Sequence, residues 1–195
     1  HASREACTTT EYWPVLQNTQ SIYRGNYGEA GEELIRLLDA SVEKCLESSP
    51  VPVGLFMSSG IDSVLLASLM KRKGIPFIAF TAGFEGNFRS DESDTASDIA
   101  RALHIDIQVQ KTSAEKLVTL LQQVQPRMPE PLSDAAFLSQ LSLSDLALKS
   151  TSRLLDGTGA DNLFGGMVKT RAEQVWRYYH QIPGLCRKLA GGLFA

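Results

Sequence analysis

The sequence predicts a parallel α/β domain with helices on both faces of its sheet. Three observations predict it. Short apolar runs of strand length alternate with amphipathic stretches of helix length, the run "VPVGLFM" is continuously hydrophobic, and small polar residues mark two of the handovers. At 195 residues and 43% hydrophobic composition, the chain has the size and apolar content of one domain with a sizeable core.

Taken in order, residues 1–27, with "TEYWPV" and "RGNYG", carry little periodicity and read as a linker, leaving 28–195 as the domain. From Glu32 to Leu46, apolar residues recur at helical spacing until "ESSP" stops them. "VPVGLFM" is a strand whose unbroken hydrophobicity implies cover on both faces. A helix from Asp62 to Lys73 ends at Gly74 and Pro76, and "IPFIAFTAGF" is the next strand. A helix from about Glu92 to His104, the strand "IDIQVQ", helices from about Ala114 to Gln125 and Asp134 to Lys149, and a short strand "SRLLDG" complete the alternation.

Composition excludes several function classes. A net charge of -3 and a pI near 5.6 give no field that attracts nucleic-acid backbone or anionic lipid. Cys7, Cys45 and Cys186 lie far apart, without metal-ligand spacing and odd in number, which predicts a reducing, cytoplasmic setting. No apolar stretch approaches the roughly 20 residues needed to cross a bilayer, and no basic-then-apolar signal pattern opens the chain. The start at His1 and the stop at "LAGGLFA", just after an amphipathic aromatic segment, read as a fragment of something longer.

In a parallel sheet, ligands bind beyond the carboxyl ends of the strands. Two turns fall there: Ser58 to Asp62, within "FMSSGIDS", and Gly157 to Asp161. The first opens a helix, whose unpaired amides and partial positive charge suit an anion. Ser58, Ser59, Gly60 and Ser63 keep side chains small there, so a phosphate can approach the backbone. Asp62 beside a phosphate requires a divalent cation between them, which points to Mg²⁺. The alternative is an ordinary Ser/Asp helix cap. Other phosphate and nucleophile motifs fail. Gly60 is followed by Ile61 without the lysine of a Walker A loop, and a dinucleotide fingerprint lacks its other glycines. Ser68 and Lys71 match S-x-x-K only inside a helix, and His1, His104 and His180 have no triad partners.

"SSGIDS" resembles the SGGxDS pyrophosphate loop of the N-type ATP pyrophosphatases, and "LLDGTGADNLFGG" is similar to the LSGxGADELFGG element of the asparagine synthetase branch. "VPVGLFMSSGIDS", "FTAGFEG", "DES" at Asp91 to Ser93 and "EPLSDAAFLSQL" follow in that branch's order, covering most of residues 11–187. GMP synthetase, NAD synthetase and tRNA-thiolating enzymes share the first loop, whereas "GADxLFGG" points to the asparagine synthetase type. The resemblance implies an adenine nucleotide alpha-hydrolase-like, Rossmann-like fold and an ATP-dependent ligase. A substrate carboxylate, aspartate or an analogue, would attack the α-phosphate and release pyrophosphate. Ammonia or an amine, supplied by a glutaminase domain, would then capture the acyl-adenylate. Cys7 does not replace the N-terminal nucleophile of such a domain.

Carried over residue by residue, Ser58, Ser59, Gly60 and Ser63 would cradle pyrophosphate, and Asp62 and Asp161 would hold Mg²⁺. Phe56, Met57 and Thr81 to Gly83 would border the adenosine, with Asp156, Gly157 and Gly159 across from them. Glu130 and Asp134 would lie near the substrate, although they also suit a helix start, as do Asp91 and Glu92. The sequence departs from the family at Ser59, where glycine is usual and a positive φ would cost serine ~1 kcal/mol. It departs again at Thr158, at the reacting centre where many members carry glutamate, and at Asn162. Thr158 therefore implies a different carboxylate, as in β-lactam synthetases and lasso-peptide cyclases, or a scaffold without chemistry. The family's adenylation lysine lies beyond the chain; Lys169 and Arg171 read as a solvated helix face, and Trp176, Tyr178 and Tyr179 as packing residues.

Overall fold

The computed structural model describes residues 23–47, 52–86, 88, 91–128, 134, 136–166 and 168–183. By its internal contacts the chain forms two units, residues 1–45 and 46–195.

The first unit carries helix α1, Tyr27–Leu46. It starts ahead of Glu32, where apolar periodicity begins, because polar capping sets its first turn. Asn26 Oδ1 accepts from Glu29 N at 3.0 Å and Glu29 Oε2 accepts from Asn26 N at 3.0 Å, a reciprocal capping box that satisfies two amides.

The second unit is built on four parallel strands, β1 (Val53–Phe56), β2 (Phe77–Phe84), β3 (Ile107–Thr112) and β4 (Leu154–Leu155), in the order β3-β2-β1-β4. Between and after them run α2 (Ile61–Arg72), α3 (Ser93–Ala102), α4 (Ala114–Val124), a single 3₁₀ turn (Gln125–Arg127), α5 (Ala136–Ala147), α6 (Ala160–Phe164) and α7 (Val168–Gln181). Every strand and every long helix that the sequence predicts is present, with ends shifted by a few residues, the usual uncertainty of helix termini. Among the described residues no helix is long and apolar enough to cross a membrane.

Both faces of the sheet are covered, as the unbroken apolar runs require. Phe80 is fully buried against Leu143 and Ala147 of α5, joined by Phe56, Ile78, Ala82, Leu146 and Leu154. Because successive strand residues point to opposite faces, buried Val53, Leu55 and Ala79 lie on the other side. The contact between Gly83 and Ser93 places α3 on that side, and α3 buries Ala96 and Ala100 while α2 buries Ala67, Leu69 and Met70. Strand β1 lies so close to β4 that a Cβ at Gly54 would collide with Leu154 Cδ2 and reach 2.8 Å from Thr151 Cγ2. Thr151 secures that approach, its hydroxyl donating to Pro52 O at 2.8 Å and accepting from Arg153 N at 3.2 Å.

Several sequence features prove structural. Ser68 Oγ donates to Val64 O at 2.8 Å and Lys71 Nζ to His104 O at 2.8 Å, so the S-x-x-K match is an accident of helix packing. His104, φ 52°, is the single non-glycine residue with positive φ among the described residues. Trp176 stacks on Tyr179 with ring centroids 5.6 Å apart and meets His180 edge-on at 4.6 Å, on an exposed stretch of α7. The side chains of Lys169 and Arg171, and the whole of Cys7 and Cys186, lie outside the described residues.

Candidate functional site

The chain moves from β1 to β2 to β3 on one side and then returns to β4 on the other side of β1. That reversal makes a crevice at the carboxyl ends of β1 and β4, where the connecting loops diverge. A cavity of about 620 Å³ opens there, within the range of small-molecule sites. Ser58, Gly60, Asp62 and Ser63 line it from the turn after β1, and Asp156, Gly157, Thr158, Gly159, Asp161 and Asn162 from the turn after β4. Phe56, Met57, Thr81, Ala82 and Phe84 form the strand-end wall; Glu92 and, from α5, Ala136, Ser139, Gln140 and Leu143 complete it.

The first turn is held by its own serines. Ser58 N donates to Ser63 Oγ at 3.0 Å, and Gly60 N donates to Ser58 Oγ at 3.1 Å. The two hydroxyls are 3.1 Å apart, and Ser63 Oγ also lies 3.1 Å from its acceptor Gly60 O. This stitching uses the backbone nitrogens of Ser58 and Gly60 but leaves the amides of Ile61, Asp62 and Ser63, at the start of α2, without intrahelical acceptors. Gly60 has φ -70° and ψ 147°, and Ser59 is not among the positive-φ residues, so the serine in place of the family glycine carries no left-handed strain.

The second turn is shaped by left-handed glycines, Gly159 (φ 97°) and Gly165 (φ 74°), which bracket the five-residue α6, where the sequence predicts only a turn. Thr158 N donates to Asp156 Oδ1 at 3.1 Å and Thr158 Oγ1 to Asp156 Oδ2 at 2.7 Å, so both carboxylate oxygens of Asp156 are engaged. The two turns touch: a Cβ at Gly157 would lie 3.2 Å from Asp62 Cβ and 3.2 Å from Ser63 N. A side chain at Gly157 would fit only if Asp62 or the backbone at Ser63 gave by a few tenths of an ångström.

Among the described residues four carboxylates, Asp62, Glu92, Asp156 and Asp161, line the cavity, and no basic side chain does. Behind them Asp91 ties the start of α3 to the end of β2, its Oδ2 accepting from Phe84 N at 2.8 Å and its Oδ1 from Ser93 N at 2.9 Å. Burial pushes the Asp91 carboxyl up, but the donors from Phe84 and Ser93, with the Lys111 ammonium, outweigh it and hold the group below the usual carboxylate range.

Of the residues singled out in the sequence, Phe56, Met57, Ser58, Gly60, Asp62, Ser63, Thr81, Asp156, Gly157, Thr158, Gly159 and Asp161 come together around the cavity. Ser59 stands at its edge with Oγ donating to Glu92 Oε2 at 2.6 Å, and Gly83 abuts Ser93 instead of the lining. Asp134 Oδ1 accepts from Ala136 N at 2.9 Å, a helix-start role, and is not part of the lining; Glu130 lies outside the described residues. The stretch "EPLSDAAFLSQL" resembles the family's substrate-side segment, but Ser139 and Gln140 of α5 are not among the residues that the sequence analysis names for the site. That polar pair within "FLSQLSL" was the available signal.

Residues 33–195 match the protein family described as Asparagine synthase. A Mycobacterium tuberculosis (strain ATCC 25618 / H37Rv) protein, provisionally named asparagine synthetase [glutamine-hydrolyzing], is 33% identical over 190 residues, 97% of this chain and 29% of that protein. Asparagine synthetase [glutamine-hydrolyzing] 1 of Bacillus subtilis (strain 168) is 33% identical over 141 residues, 72% of this chain and 22% of that protein. The chain thus spans under a third of the length of these curated relatives. Among solved structures, the NH3-dependent NAD synthetase from Campylobacter jejuni aligns with TM-score 0.47 and 15% identity over 68% of this chain and 58% of that one. With the family match running from α1 through both glycine-marked turns, this chain belongs to the asparagine synthase family.

Proposed function

We propose that this chain is the ATP-handling part of an amide-forming ligase, which activates a substrate carboxylate as an acyl-adenylate. The observation that carries the reading is the contact between the two turns, Gly157 against Asp62 and Ser63, which brings Asp62 and Asp161 to one cavity beside the α2 amides. Family membership supports ATP as the nucleotide.

In this reading, the substrate carboxylate oxygen attacks the α-phosphorus. The bond from that phosphorus to the bridging oxygen breaks, and pyrophosphate leaves with the electron pair. The amides of Ile61, Asp62 and Ser63, with the Ser58 hydroxyl, donate to the departing pyrophosphate. Phe56, Met57 and the end of β2 border the adenosine. An amine or ammonia then attacks the carbonyl carbon, and AMP leaves.

The donor set fits Mg²⁺. Asp161 is exposed and Asp62 half-buried, and neither carboxylate has a hydrogen-bond or ion-pair partner among the described residues, so two hard oxygen donors are available to a cation that would complete its shell with phosphate and water. When bound, Mg²⁺ would neutralise phosphate charge that four cavity carboxylates would otherwise repel.

A second reading of the substrate rests on Thr158. Its hydroxyl is committed to Asp156 at 2.7 Å and cannot act as a carboxylate would, which supports an acid other than aspartate. Calorimetry of ATP binding with Mg²⁺ and with EDTA tests the reading. The expected result is Mg-dependent binding weakened at least tenfold in Asp62→Ala and Asp161→Ala; unchanged affinity in both removes the metal assignment, and no binding by the parent leaves a scaffold. Carboxylate-dependent pyrophosphate exchange across a panel of acids then separates substrates, and exchange with aspartate alone overturns the argument from Thr158.

A further inference from the structure

Amide formation needs an acceptor for the proton that the attacking amine loses, and the groups lining this cavity restrict where it can go. Among the described residues no histidine, lysine or arginine lines it. Asp156 has both oxygens engaged by Thr158. Asp62 and Asp161 are the pair assigned to the cation, and a metal-bound carboxylate is a poor base. Glu92 is left.

Glu92 is also held in place. Ser59 Oγ donates to its Oε2 at 2.6 Å, while Oε1 has no partner among the described residues. The neighbouring Asp91 fixes the backbone from which Glu92 extends, through its bonds from Phe84 N and Ser93 N. One oxygen is anchored, on an exposed side chain that lines the cavity. A positioned base has this arrangement.

We infer that Glu92 is the general base of the amidation step and that Ser59 is its positioning residue. The amine nitrogen forms its bond to the adenylate carbonyl carbon, and the carbon–oxygen bond to the phosphate breaks. AMP departs with that electron pair, and the nitrogen's proton passes to Glu92 Oε1. Thr158 supplies no base on the opposite turn, and the serine at position 59 supplies a donor to Glu92 that a glycine would lack.

The inference rests on the ligase reading, and its test separates the two half-reactions in the intact protein. The measured quantities are pyrophosphate exchange with the acid that supports it and amide formation with ammonium chloride as nitrogen source. In Glu92→Gln, exchange is expected to stay within about threefold while amide formation falls about a hundredfold, the range of a lost general base. Hydroxylamine, unprotonated at neutral pH, should restore much of the rate. Glu92→Asp and Ser59→Thr should retain part of it, and Ser59→Gly should shift the rising limb of the pH–rate profile without abolishing exchange. Amide formation within threefold of the parent in Glu92→Gln, or equal loss of both half-reactions, overturns the role of Glu92 alone. No exchange with any acid overturns the ligase reading and this one together.

Discussion

Gly157 sits closely against Ser63: an added Cβ would be 3.2 Å from the Ser63 amide nitrogen and 3.2 Å from Asp62 Cβ, a contact that one side must relieve by a few tenths of an ångström. Gly157→Ala therefore crowds the start of α2, where the free amides lie. The expected outcome is at least a tenfold loss of ATP affinity in the presence of Mg²⁺, about 1.4 kcal/mol. Titration calorimetry reads it, and affinity within twofold of the parent would show that the turns do not need this approach.

Ser63 is 6% exposed and receives the Ser58 amide at 3.0 Å. Ser63→Ala leaves that donor without its acceptor, at a cost of about 1–3 kcal/mol for an unsatisfied group. Urea denaturation should show a lower midpoint at unchanged slope, with ATP affinity falling as well, because the same bond shapes the turn.

Gly54→Ala sets a methyl against Leu154 Cδ2 and Thr151 Cγ2 on the β1–β4 side of the sheet. Overpacking of this kind costs about 1–3 kcal/mol. The measurable result is a lower thermal midpoint, accompanied by faster amide exchange at Gly54 and its partners on β4.

Asp91 has a pH signature. Its carboxyl is held below the ordinary range in the folded chain, so its contribution is fully present above the unfolded value of about 3.9 and is lost as pH falls through the lower folded value. Asp91→Ala should cost about 1 kcal/mol near neutrality. The gap between parent and variant should stay constant down to about pH 4 and close below it. A gap that widens with acid would contradict the bonds to Phe84 and Ser93.

Much of the fold was legible because burial on both faces writes itself into composition: β1 and β2 are continuous apolar runs, and Gly74 with Pro76 punctuates the connection between them. The start of α1 was not, since Asn26 and Glu29 are polar and announce a helix by capping, before any apolar period begins. Nor was α6, whose five residues are too few for a period to register and whose ends depend on the left-handed glycines Gly159 and Gly165. At the site, the two turns were readable as motifs, each local in sequence. The bond from Ser59 to Glu92 was not, because it joins residues on separate loops that only the sheet order brings together.

That sheet order also has a kinetic consequence. Pairing β1 with β2 closes one short helical crossover, whereas pairing Gly54 with Leu154 must wait for a far longer excursion of the chain, through β3, α4 and α5. The crevice exists only once that slow closure is made, so an early folding species holds its first turn without the second. A nucleotide that grips both would act as a late clamp, slowing the unzipping of β4 rather than hastening collapse.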